Sequence, residues 1–218
     1  MLKEKSRPKG GYLKYIGILL LLLGLSILIF TYYPAIRAYI DYKLSPPPKE
    51  TTVQIVNEGE QITKEINKNT EIVFVDNDFG LYIPKIKANA KVIKNVDPYN
   101  EDIYINALIY GVAHAKGTPT PNSNGNVFLF AHSAVNFYER RKYNVYFYLL
   151  RELEKDDEIY VSYEGEIYRY TVFENKIVEP SEIKYLGTYL EEDTLTLMTC
   201  WPMGVDSKRA IVIAKREE

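Results

Sequence analysis

A chain of 218 residues, 46% hydrophobic and 26% charged, carries apolar mass for one ordinary domain and a segment besides. Its 27 basic and 29 acidic side chains leave a net charge of −2, so no basic excess exists to neutralise a nucleic-acid backbone. Twenty tyrosines favour strands, because aromatic side chains pack well on pleated surfaces.

Residues 1–14 form a basic tail, with Lys3, Lys5, Arg7, Lys9 and Lys14 set against Glu4. Residues 15–33 read YIGILLLLLGLSILIFTYY and carry no charge. At about 1.5 Å per helical residue this run matches a hydrocarbon core about 30 Å thick. Tyr12, Tyr15, Tyr32 and Tyr33 stand where interfacial aromatic belts form, and Leu19–Leu23 is apolar on every helical face. A cleaved leader fits less well, since its apolar core is shorter and no small-x-small cleavage site follows. The expectation is a single-pass cell-membrane anchor with the N-terminus cytoplasmic and the rest extracytoplasmic. Pro34 is expected to end the helix, and Pro46-Pro47-Pro48 to stiffen a polar stalk over 34–70. Ile62 and Ile66 have the spacing of one short helix within that stalk.

The body, 71–218, is predicted mostly as strands. EIVFV and LYIPKI are short apolar runs, the second bent at Pro84, and NVFLFAH ends on His132. DEIYVSYEGEIYRYTVFENKIV alternates about Glu164-Gly165 and reads as a hairpin. TLTLMTC and RAIVIAK are the last two strands, joined by WPMGVDSK. Helices are expected over PYNEDIYINALIYG and YNVYFYLLREL. Many short strands with few helices indicate a closed barrel or a sandwich.

Cys200 is the only cysteine. A lone thiol is an inert packing residue, a partner for another chain, or a nucleophile. An ordinary cysteine is only about 3% thiolate at pH 7, so a nucleophile needs a partner that helps ionise it and a donor for the oxyanion. Only His114 and His132 can serve as the base. His132 ends a strand, as Cys200 does, and Arg209 opens the strand after the short Cys200 loop. The acidic runs Asp156-Asp157-Glu158 and Glu191-Glu192-Asp193 offer oxygen ligands of the kind calcium prefers, yet such clusters are usually solvated turns. No required metal and no cofactor are expected.

LTLMTCWPMGVDSKRAIVIA resembles the sortase signature, an apolar strand ending in Thr-Cys, a loop, and Arg opening the final strand. GVAHAKGTPTPNSNGNVFLFAHS is similar to the sortase segment that ends on the catalytic histidine, and LYIPKIKANAKVI to the opening strands. The likeness runs from Phe79 to Lys215 in the expected order. The flanks Ala131 and Ser133 depart from the Gly and Arg often found beside that histidine, which leaves the subclass open.

The resemblance implies a mostly β fold, a closed eight-stranded barrel with one or two short helices, behind an N-terminal transmembrane helix. It implies a cysteine transpeptidase that cleaves an LPXTG-like C-terminal sorting signal at a Thr-Gly-type bond through a thioacyl intermediate. The acceptor would be an amine of a cell-wall precursor or of a pilin-type lysine. On that carry-over Cys200 is the nucleophile, His132 the general acid and base, and Arg209 stabilises the oxyanion or holds the peptide. Thr199 and His114 are placed as substrate-side residues, Thr199 otherwise pairing strands and His114 otherwise structural. Competing readings are a Cys-His peptide hydrolase, an L,D-transpeptidase-like enzyme, and a membrane-anchored β-barrel binding module without catalysis.

Overall fold

The computed structural model describes residues 11–44, 51–52, 70–71, 73–133, 146–187, 192–202 and 207–217. The basic residues of the tail before Gly11, most of the stalk with its Ile62/Ile66 helix, Glu191 of the second acidic run, and Asp206 of the WPMGVDSK loop lie outside them. The chain divides into two compact units, Met1–Asp41 and Tyr42–Glu218.

The first unit holds most of α1, Gly11–Leu44, a helix of 34 residues. Pro34 does not end it: α1 continues for ten residues beyond. A proline removes one backbone donor and crowds the preceding turn, but the bonds on either side can carry the helix on. Leu19 to Leu23 are all exposed. Side chains of α1 are described without a break over 14–30; among the described residues no helix is long and apolar enough to cross a membrane. The anchor expected over 15–33 extends past that stretch.

In the second unit, Thr51–Thr52 (β1) and Thr70–Glu71 (β2) form a two-residue parallel pair. Eight further strands close a barrel: β3 Phe79–Ile83, β4 Ala88–Val96, β5 Val112–Ala115, β6 Asn126–Phe130, β7 Glu158–Tyr163, β8 Glu166–Val178, β9 Thr194–Trp201 and β10 Lys208–Arg216. Their order around the wall is β10-β8-β7-β3-β4-β5-β6-β9, and β9 pairs with β10 to close it. Closure removes the edges on which strands aggregate. The eight-stranded expectation is met.

The barrel starts at Phe79, later than the EIVFV run suggested. Val73 and Val75 are each 66% exposed, while Phe74 between them is buried against Tyr160. Asp76 then turns the chain, its Oδ1 accepting from the N–H groups of Asp78 and Phe79. The Glu164-Gly165 hairpin forms as expected, with both residues at positive φ, 52° and 84°. α2, Glu101–Tyr110, is capped by Asn100, whose Oδ1 accepts from the Ile103 N–H. Gly111 follows because a Cβ there would meet the Lys91 carbonyl oxygen at 2.2 Å. The second expected helix does not form. Among its described residues only Leu150–Glu152 makes a 3-10 turn. Phe147, Leu150 and Leu153 are fully buried there, so their spacing served packing in a turn rather than a helical stripe.

Candidate active site

Strands β6 and β9 are parallel neighbours with Phe128 opposite Thr196 and Phe130 opposite Met198. Parallel strands end on the same side of the wall, and here they end level. His132 lies two residues past Phe130, and Cys200 two past Met198. Beyond Phe130 the alignment persists, because the Ala131 N–H donates to the Met198 oxygen at 3.2 Å. On the other side of β9, Cys200 stands directly opposite Arg209 of antiparallel β10. Neighbouring strands are about 4.8 Å apart, so the wall brings His132, Cys200 and Arg209 into one row across three adjacent strands. All three are half-buried.

Side chains alternate faces along a strand. Cys200 therefore shares a face with Met198 and Thr196, and with Arg209 across the ladder. The same face carries Ile211, opposite Met198, and Lys176, opposite Ile211. Lys176 sits 4.6 Å from the ring centre of Tyr185, in a second 3-10 turn, Ile183–Leu186. The far end of that turn is tied to β6: Asn126 Nδ2 donates to the oxygens of Tyr185 (2.8 Å) and Gly187 (3.3 Å). Asn126 Oδ1 accepts from Thr194 and Thr196 at 3.0 and 2.8 Å. The turn thus lies across the face below the Cys200 row, held by a buried amide. Sequence reading missed Asn126; an Asn heading an apolar strand, with two threonines spaced by two on another strand, was the available signal.

The loop after Cys200 is closed at its base. Ser207 Oγ donates to the Trp201 oxygen at 3.2 Å, and the Arg151 guanidinium lies 5.8 Å from the Trp201 ring centre. Arg209 Nη1 donates to the Lys208 oxygen at 3.1 Å.

The two substrate-side expectations fall elsewhere. Thr199 is 3% exposed, on the face opposite to Cys200, and donates to the Ala131 oxygen at 2.8 Å. His114 is fully buried and pairs with Leu129, also on the opposite face. Its Nδ1 accepts from the Asn95 N–H at 3.3 Å, which leaves the proton on Nε2 to be donated to the Pro119 oxygen at 3.0 Å. The Thr118 hydroxyl, 3.0 Å from Nε2, donates to the Ala115 oxygen. Burial pushes the His114 pKa below its ordinary 6.5, with Lys94 adding to that and the Pro119 bond opposing it. These are the contacts of a structural, neutral histidine.

The depressed value has a consequence for stability. Above about pH 6.5 His114 is neutral folded and unfolded, and its contribution is complete. As pH falls below that, the unfolded chain takes up the proton first, so stability drops until the folded pKa is passed. Melting temperature should decline between pH 7 and 5, and His114→Gln should flatten that slope. An unchanged slope in the variant would contradict the assignment.

Described carboxylates of both acidic runs are engaged within the protein. Asp157 Oδ2 takes Lys85 Nζ at 2.8 Å, Glu158 takes the Tyr160 hydroxyl, and Asp193 Oδ1 takes the Gly125 N–H at 2.7 Å. Among the described residues no group of three or more His, Cys, Asp or Glu gathers as metal ligands.

Comparison with known proteins agrees with this wall. Residues 81–217 match the family model for the sortase domain. Sortase D of Bacillus subtilis (strain 168) is 30% identical over 139 residues, 62% of each chain. Sortase A of Listeria monocytogenes is 24% identical over 233 residues, 94% of this chain and 91% of that one. This chain therefore spans less than two thirds of the Bacillus relative. Among solved structures, sortase C-1 of Actinomyces oris is 28% identical with a TM-score of 0.55, covering 66% of this chain and 76% of its own. Sortase A of Corynebacterium diphtheriae, a lid mutant, gives 26% and 0.54, covering 66% and 71%. The domain match and these likenesses converge: the chain belongs to the sortase family, whose members are cysteine transpeptidases.

Proposed function

We propose that this chain is a membrane-anchored sortase that cleaves a C-terminal sorting signal at a Thr-Gly-type bond and joins the new carboxyl end to an amine. The observation that carries the proposal is the single row of His132 just past β6, Cys200 on β9 and Arg209 on β10. The Cys200 thiolate adds to the scissile carbonyl carbon, and the Arg209 guanidinium faces the oxyanion that forms. Protonated His132 gives its proton to the leaving amine as the C–N bond breaks, leaving a thioester on Cys200. An incoming amine then adds to that thioester carbonyl, neutral His132 takes the amine's proton, and Cys200 leaves as thiolate. The histidine ends each cycle protonated, so no further acid or base is consumed.

A solved sortase C from Clostridium perfringens, 25% identical over 64% of this chain, carries the C-terminal cell wall sorting motif. A peptide of that class is the substrate proposed here, with a cell-wall precursor or another protein's lysine as the acceptor. Support for the anchor is the uncharged run 15–33, the basic residues before it, and the exposed leucines of helical α1. The catalytic body is then extracytoplasmic. Incubating the full-length chain in detergent with a library of pentapeptide sorting signals and an amine tests the proposal: an amide joining the two is the expected product.

A further inference from the structure

Strand β6 ends at Phe130, two residues before His132. The peptide that carries His132 has left the regular ladder, and its height beside Cys200 rests on whatever still holds Ala131. Both backbone groups of Ala131 are tied to β9. Its N–H donates to the Met198 oxygen at 3.2 Å, and its C=O accepts from Thr199 Oγ1 at 2.8 Å. Thr199 and Ala131 are 3% and 6% exposed, so the second bond is shielded from water. The other two threonine hydroxyls of β9, on Thr194 and Thr196, point to the Asn126 side chain instead.

We infer that Thr199 is a positioning residue: its hydroxyl clamps the Ala131 carbonyl and so sets His132 level with Cys200. The inference rests on the transpeptidase reading of those two residues. Thr199 itself does not meet the peptide, since it faces away from Cys200 and its proton is committed to Ala131. Releasing a carbonyl adjacent to the histidine frees the two backbone torsions that aim the imidazole. A displacement of about 1 Å at a catalytic group can cost about a hundredfold in rate.

The test compares Thr199→Val, Thr199→Ala, Thr199→Ser, Thr196→Val and His132→Ala in the full-length chain. Two readouts are taken: kcat and KM on the peptide, and the pH profile of Cys200 alkylation by iodoacetamide, which needs no peptide. Thr199→Val and Thr199→Ala should each lower kcat at least about tenfold with KM changed less than about twofold. Their alkylation profiles should move in the same direction as that of His132→Ala. Thr199→Ser, which keeps the hydroxyl, should recover kcat to within about threefold of wild type. Thr196→Val, another buried threonine of the same strand, should keep the wild-type profile even where it lowers the melting temperature. A wild-type profile and kcat in both Thr199 removals, with His132→Ala shifted, would overturn the clamp alone. An unshifted His132→Ala would overturn the pairing of His132 with Cys200, and the clamp with it. Should Thr199→Val fail to fold, the smaller Thr199→Ala decides by the same criteria.

Discussion

Cys200→Ala is expected to abolish turnover, by a factor of at least about 10³ in kcat, with little change in melting temperature. No other residue can form the thioester, since the chain has no second thiol. Removing a nucleophile from a concerted unit costs about as much as removing the whole unit. Cys200 is only half-buried, so truncating it opens little space in the core. Single-turnover peptide cleavage, read by chromatography beside a thermal melt, checks both halves of this expectation. Cleavage at a tenth of the wild-type rate in a folded Cys200→Ala chain would contradict the mechanism.

Arg209→Ala should lower kcat by about 10²–10³, the usual effect of deleting one oxyanion donor. Arg209→Lys should recover only part of this, because an ammonium keeps the charge but loses the planar fork of donors. The direct pairing of Arg209 with Cys200 across β9 and β10 sets the two residues opposite each other on one face of the wall. The split between constants separates two roles. A fall in kcat with unchanged KM marks an interaction made in the transition state, whereas a rise in KM alone marks peptide holding. The second pattern would remove Arg209 from the oxyanion role.

The row of three residues was legible before the fold because each is placed by a local pattern. TLTLMTC and NVFLFAH are apolar runs with definite ends, and RAIVIAK begins on the arginine. The row then depends on register, β9 pairing parallel with β6 and antiparallel with β10, and a one-residue slip would have reversed the face of every side chain. The less legible parts depended on contacts between segments far apart in sequence. YNVYFYLLREL has helical spacing, yet Phe147, Leu150 and Leu153 are buried from a turn, where tertiary packing overrides local periodicity. EIVFV has strand composition but leaves Val73 and Val75 in solvent, and composition carries no record of whether a partner strand exists.

Polar roles were harder still to read. Asn126 looked like the first residue of a strand, and its four hydrogen bonds reach Thr194, Thr196, Tyr185 and Gly187. Partners at that sequence distance leave only the faint trace of two threonines spaced by two on another strand. By sequence, Thr199 stands on the substrate side by its place next to Cys200, and His114 by the likeness to a family histidine near the cleft. Strand alternation sends both to the other face, where one ties β9 to Ala131 and the other is locked between Asn95 and Pro119. Nearness along a strand is a poor guide to function, because adjacent residues point in opposite directions.

The most direct measurement of the central claim is mass analysis of peptide products made by the full-length chain, with and without a primary amine. With amine present, the carboxyl end created by cleavage should carry the amine as a new amide, and the product should vanish in Cys200→Ala. Cleaved peptide that never acquires the amine, at any amine concentration, would contradict transpeptidation and identify a hydrolase.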